Sequence, residues 1–123
     1  MVTTSKRILV IDDSPVVLAM ACPALAEAGY QVETRSSVEE VESGPVAGFD
    51  LILMDVQMPQ LYGDDVGMAL RYQRGVKSPI YLFSTLDDEE LKTRASDTGL
   101  DGFISKQAGM DHLIAEVRKI LGT

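Results

Sequence analysis

Short apolar runs, several of them ending in a carboxylate or a hydroxyl, alternate along this chain with amphipathic stretches long enough for helices. The alternation recurs five times and reads as strand and helix units around a mainly parallel sheet, an α/β fold. The run Leu51, Ile52, Leu53, Met54 offers no polar residue to either side of a pleat. It is therefore expected as a central strand covered on both faces.

The first run, residues 8–11, stops at Asp12, Asp13, Ser14 and Pro15. Ser14 suits an N-cap, and Pro15 suits the first helical position, where its missing N–H costs nothing. This helix is expected to end at Gly29 and to kink, without breaking in two, at Pro23, whose ring clashes with the carbonyl of Ala19. Residues 30–35 alternate as a second strand. Ser36 or Ser37, with Glu39 or Glu40 third in line, signals a short capped helix closed by Gly44, Pro45 and Gly48. After the central strand within residues 50–55, a loop with Pro59 and Gly63 leads to a helix near residues 64–74, ended by Gly75. A fourth strand is expected at residues 79–84, and a helix at 87–97 whose acidic start complements the helix dipole. A short fifth strand follows at residues 102–105. The last helix, at 110–121, carries Leu113, Ile114, Val117, Ile120 and Leu121 on its apolar side. No linker, repeat or low-complexity segment intervenes, so residues 1–123 are expected to form one domain.

A chain of 123 residues that is 46% hydrophobic can bury a core of its own. Its single cysteine, Cys22, excludes an intramolecular disulfide framework and sits among apolar neighbours, which suits packing. Residues 1–7 are polar and lack the apolar stretch of a leader peptide, and no run approaches the ~18 apolar residues of a membrane span. A cytoplasmic location, away from membrane, is the expectation. The net charge of −8 argues against direct nucleic acid binding, which rests on Lys and Arg neutralising phosphates. There is no Walker-type loop, no H-E-x-x-H, no paired cysteines and no nucleophile elbow. His112 has no cysteine or second histidine to share a transition metal with, and is read as a surface residue.

Polar residues gather where an open parallel sheet binds its ligands, at the carboxyl ends of strands. Asp12 and Asp13 end the first strand, Asp55 the third, Ser84 and Thr85 the fourth, Ser105 and Lys106 the fifth. If these ends adjoin, clustered carboxylates raise one another's pKa and call for a cation. All-oxygen donors point to a hard ion, Mg²⁺ or Mn²⁺, and Lys106 adds a fixed positive charge. A carboxylate nucleophile, a metal, an ammonium and a hydroxyl together suit the stabilisation of a transferring phosphoryl group.

The ordered set Asp12-Asp13, Asp55-Val56-Gln57-Met58-Pro59, Ser84 and Lys106 resembles the receiver domain of bacterial two-component response regulators, over essentially the whole chain. The resemblance implies a flavodoxin-like (βα)5 fold with a parallel sheet of order 2-1-3-4-5 and helices on both faces. It implies that Asp55 accepts a phosphoryl group from a sensor histidine kinase or phosphotransfer protein, giving a labile acyl phosphate. Asp12, Asp13, Asp55 and the backbone carbonyl of Gln57 would hold the metal, and Lys106 would pair with the phosphoryl oxygens. Ser84 would hydrogen-bond the phosphoryl group and, in moving inward, open space for Phe103, the aromatic switch. Gln57, Thr85 and Leu86 match positions that tune hydrolysis. The output would be a changed protein-binding face built from the fourth helix, fifth strand and fifth helix. Such a chain is not an enzyme toward other substrates; it catalyses only its own phosphorylation and dephosphorylation. It is expected as a stand-alone regulator or as a receiver from a longer protein.

One departure stands out: the family follows its lysine with a proline in a cis peptide, whereas Lys106 is followed by Gln107, for which a trans bond is expected. Thr85 is bulkier than the usual alanine and is expected to restrict access to the phosphorylated site. The alternative reading, hinted at by Gln107, is a pseudo-receiver that binds proteins without phosphorylation. A Mg²⁺-dependent phosphatase or flavin-binding protein of similar architecture is a third.

Overall fold

The computed structural model describes residues 5–59 and 61–123; residues 1–4, part of the polar start and of the expected single domain, lie outside them. Five strands, β1 (Arg7–Ile11), β2 (Gln31–Arg35), β3 (Leu51–Met54), β4 (Ile80–Ser84) and β5 (Gly102–Ser105), form one sheet. All of its pairings are parallel and its order is β2-β1-β3-β4-β5, as expected for a flavodoxin-like sheet. Between and after the strands lie α1 (Pro15–Glu27), α2 (Val38–Ser43), α3 (Gly63–Tyr72), α4 (Asp88–Asp97) and α5 (Gly109–Leu121). A small antiparallel pairing of Gln57–Met58 with Leu61–Tyr62 follows β3, and a 3-10 turn, Lys106–Ala108, follows β5.

The alternation of side chains along the strands divides the core in two. Ile8, Val10, Leu51 and Leu53 point to the face covered by α1 and α5, where they meet Leu25 and Val117. Leu9, Ile11, Ile52 and Met54 point to the opposite face, against Val41 of α2, Leu70 of α3 and Leu91 of α4. Every residue of β3 is buried, which is why its run carries no polar side chain.

Local signals match these elements closely. Ser14 Oγ accepts from the Val17 N–H at 3.3 Å, with Pro15 in the first turn of α1. The helix then continues through Pro23 as one element. Ala19 and Pro23 are both exposed, so the carbonyl that Pro23 cannot satisfy lies on the water side. Gly29 follows the C-cap at φ +104°, a conformation that suits glycine. At α2 the capping box is divided between two serines. Ser37 Oγ accepts from the Glu40 N–H at 3.1 Å, while Glu40 Oε1 accepts from the N–H of Ser36 at 2.6 Å. At α4, Asp87 is the cap, its Oδ1 accepting from the Glu90 N–H at 2.9 Å.

Carboxylates also close the amino ends of two strands. Asp50 Oδ2 accepts from the Arg7 N–H at 2.8 Å, and Asp101 Oδ2 from the Ile80 N–H at 2.8 Å. Among the described residues no helix is long and apolar enough to cross a membrane. Truncating the fully buried Leu53 to alanine should lower unfolding free energy by about 2–5 kcal/mol, read from the denaturant midpoint at constant slope.

Candidate functional site

The sheet's backbone ladder extends one residue beyond two of its strands and thereby places two aspartates side by side. The Asp12 N–H donates to the Arg35 carbonyl at 3.0 Å, and the Asp55 N–H to the Ile11 carbonyl at 2.8 Å. Asp12 and Asp55 are therefore held by main-chain bonds at the carboxyl ends of adjacent strands. Asp12 is 0% exposed and Asp55 5%. Asp13 is half-buried, and one carboxylate oxygen from each of Asp12, Asp13 and Asp55 lies within 4.8 Å of the others.

Lys106, just past β5, extends into this cluster. Its Nζ lies 2.7 Å from Asp12 Oδ2 and 3.3 Å from Asp55 Oδ1. The Phe83 ring, 5.4 Å from Nζ, supports the ammonium with its π face. The bond to Asp55 has hydrogen-bonding geometry. The approach to Asp12 Oδ2 is a charge contact without that alignment, so this buried oxygen has no hydrogen bond. The other oxygen, Oδ1, accepts from the Ser14 N–H at 2.9 Å and turns the chain into α1.

Burial pushes the Asp55 carboxyl up to about 6, opposed by the charge of Lys106 and reinforced by that of Asp12. Three carboxylates with one ammonium leave the site net negative. A buried oxygen without a hydrogen bond and three converging oxygen donors fit a hard divalent cation, which prefers such ligands.

The remaining sequence-selected residues ring this centre. Ser84 is 0% exposed at the end of β4, and its Oγ accepts from the Leu86 N–H at 3.3 Å, leaving its own proton to donate. Thr85 is exposed. Leu86 and Phe103 are half-buried and pack against the core cluster on the α2, α3 and α4 face. Gln57, exposed, opens the antiparallel pair opposite Tyr62. No cis peptide occurs among the described residues, so Lys106 and Gln107 are joined in trans. His112 is partly exposed on α5, 3.9 Å from Glu116, away from the cluster of aspartates.

Two features were not legible as site residues. Gly63 reads in the sequence as loop punctuation, yet a Cβ there would lie 1.6 Å from the carbonyl oxygen of Asp55. Its N–H donates to Val56 O at 2.7 Å, so the start of α3 lies flush against the strand end. Asp64, 6% exposed, pairs with Arg94 of α4 at 3.2 Å, and that guanidinium also lies 4.8 Å from the centre of the Tyr62 ring. Neither partner is marked by spacing, because they meet only through the packing of α3 and α4.

A family model described as response regulator receiver domain matches residues 8–118. Among curated proteins, the chain is 32% identical over 118 residues to the alkaline phosphatase synthesis transcriptional regulatory protein PhoP of Bacillus subtilis, aligning 95% of this chain with 49% of that protein. It is 31% identical over 118 residues to the transcriptional regulatory protein TcrA of Mycobacterium tuberculosis, aligning 93% of this chain with 45% of that one. The chain thus spans about half the length of the curated relatives it matches. The chemotaxis response regulator CheY4 of Vibrio cholerae is similar in structure, with a TM-score of 0.84 at 31% identity, covering 96% of this chain and 100% of that chain. The response regulator DrrB of Thermotoga maritima shares the fold, with a TM-score of 0.83 at 22% identity over 97% of this chain and 54% of that chain.

Burial makes Asp55 hold its proton to higher pH in the folded chain than in the unfolded one. Between about pH 4 and pH 6 the unfolded chain has released this proton while the folded one retains it, so this group's contribution to stability falls as pH rises through that window. With divalent ions chelated, Asp55→Asn should therefore be more stable than the parent at pH 7, by of the order of 2 kcal/mol, and the gap should close at pH 4. Thermal unfolding at both pH values checks this; a gap that does not vary with pH would refute it. Gly63→Ala should cost about 2–3 kcal/mol in the same measurement, because the methyl group meets backbone.

Proposed function

The chain belongs to the family of response regulator receiver domains, and on that premise we propose that it is a single receiver domain in which Asp55 accepts a phosphoryl group in a Mg²⁺-dependent reaction. The observation that carries this reading is the convergence of Asp12, Asp13 and Asp55 with the Lys106 ammonium at adjacent strand ends. The donor is a sensor histidine kinase or a phosphotransfer protein. A bond forms between an Asp55 carboxylate oxygen and phosphorus as the donor's bond to phosphorus breaks, and the electron pair leaves with the donor.

Asp12, Asp13, Asp55 and the carbonyl of Gln57 would hold the metal, Mg²⁺ or Mn²⁺. When bound, such an ion would supply positive charge to offset the repulsion between the Asp55 carboxylate and the phosphoryl oxygens. Lys106 moves its ammonium from the carboxylates to the phosphoryl oxygens. Ser84 donates its free proton to one of those oxygens, and Phe103 follows into the space that Ser84 leaves.

Phosphorylation thereby biases a two-state equilibrium toward a changed surface of α4, β5 and α5, which a downstream protein reads. The chain acts as a switch, with chemistry confined to its own acyl phosphate. Its acidic charge supports protein partners over direct contact with nucleic acid, and its membership of the response regulator receiver family supports the cytoplasm as its place of action.

Incubation with Mg²⁺ and acetyl phosphate should add one phosphoryl group, detected as a mass increase that chelation or Asp55→Ala abolishes. No Asp55-dependent response would leave instead a binding module that works without phosphate. In the same assay Thr85→Ala should shorten the half-life of the phosphorylated protein by opening the site to water; an unchanged half-life rejects that role for Thr85.

A further inference from the structure

The two loops that bear Ser84 and Lys106 are joined by one side chain. Gln107 Nε2 donates to the Thr85 carbonyl at 2.5 Å, across 22 residues of sequence. Its backbone N–H donates to Ser105 Oγ at 3.2 Å, within the 3-10 turn that begins at Lys106. Gln107 is thus pinned to the end of β5 through its main chain and to the loop after β4 through its amide. Thr85 is covalently next to Ser84, whose Oγ holds the Leu86 N–H at 3.3 Å. If Ser84 moves toward a phosphoryl group on Asp55, as the proposed function requires, the adjoining Thr85 carbonyl must shift with it. The Gln107 amide that holds this carbonyl resists the shift, because Gln107 is also fastened through its own main chain.

We propose that Gln107 is a positioning residue that latches the loop after β4 in its unphosphorylated place, so that its hydrogen bond to Thr85 is a barrier to activation built into this chain. The proposal rests on Asp55 as the phosphoryl acceptor. Both ends of the latch are solvent-exposed, which sets its strength at that of an ordinary hydrogen bond competing with water. A bond present only in the resting state lowers the population of the binding-competent state by its own equilibrium factor. Loss of the amide therefore tightens binding of any ligand that selects the activated form.

The test titrates the full chain with beryllium fluoride and Mg²⁺ while following hydrogen exchange of the Leu86 amide. Gln107→Met keeps length without a donor, and Gln107→Asn keeps the amide but falls one methylene short of Thr85. Both variants should bind beryllium fluoride about two- to tenfold more tightly than the parent. Both should also exchange the Leu86 amide faster before ligand is added, a change that lost packing elsewhere would not confine to this loop. Parent-like or weaker binding by both variants, beside a parent that binds, overturns the latch and leaves the acceptor reading intact. A parent that binds no beryllium fluoride at Asp55 overturns the acceptor reading and the latch with it.

Discussion

Lys106 places one ammonium between two buried carboxylates, 2.7 Å from Asp12 and 3.3 Å from Asp55, and the stability of the site turns on that balance. Moving a carboxylate out of water is costly, and a second one beside it makes the cost larger. A single lysine cannot neutralise Asp12, Asp13 and Asp55 together, and its charge is shared where its hydrogen bond is not. Residual negative charge at a converging set of oxygens is what fits this site to a hard cation.

Such crowding persists because the backbone enforces it. The ladder bonds that Asp12 and Asp55 make to neighbouring strands are continuous with a sheet whose inner strands are buried on both faces. Repulsion at the rim is thus opposed by the whole of the core, since separating the carboxylates means unpairing β1 from β3. Strain is tolerated at a site when the surrounding structure over-determines it.

The same rim joins the cluster of aspartates to the surface. Gly63 brings α3 against the Asp55 carbonyl, and Asp64 of α3 holds Arg94 of α4. On the other side, Ser84 and Leu86 lead into α4, while Phe103 on β5 packs half-buried against the same cluster as Leu86. Two chains of contacts therefore lie between Asp55 and α4, one through α3 and one through the loop after β4. Elements held by single hydrogen bonds and half-buried side chains move at low cost, whereas the strands beneath them do not.

Sequence alone determined the architecture and which polar side chains gather at the strand ends. The uniform apolarity of residues 51–54 demanded a strand buried on both sides, Ser14-Pro15 set the start of α1, and carboxylates placed after apolar runs had to fall at strand ends. These are local signals, carried by periodicity and capping within a few residues. Tertiary structure decided what depends on two distant segments meeting: the need for glycine at position 63, the Asp64 and Arg94 pair, and the reach of Gln107 to Thr85. It also decided how far burial raises Asp55, because desolvation is a property of everything packed around a group and leaves no mark in the order of residues.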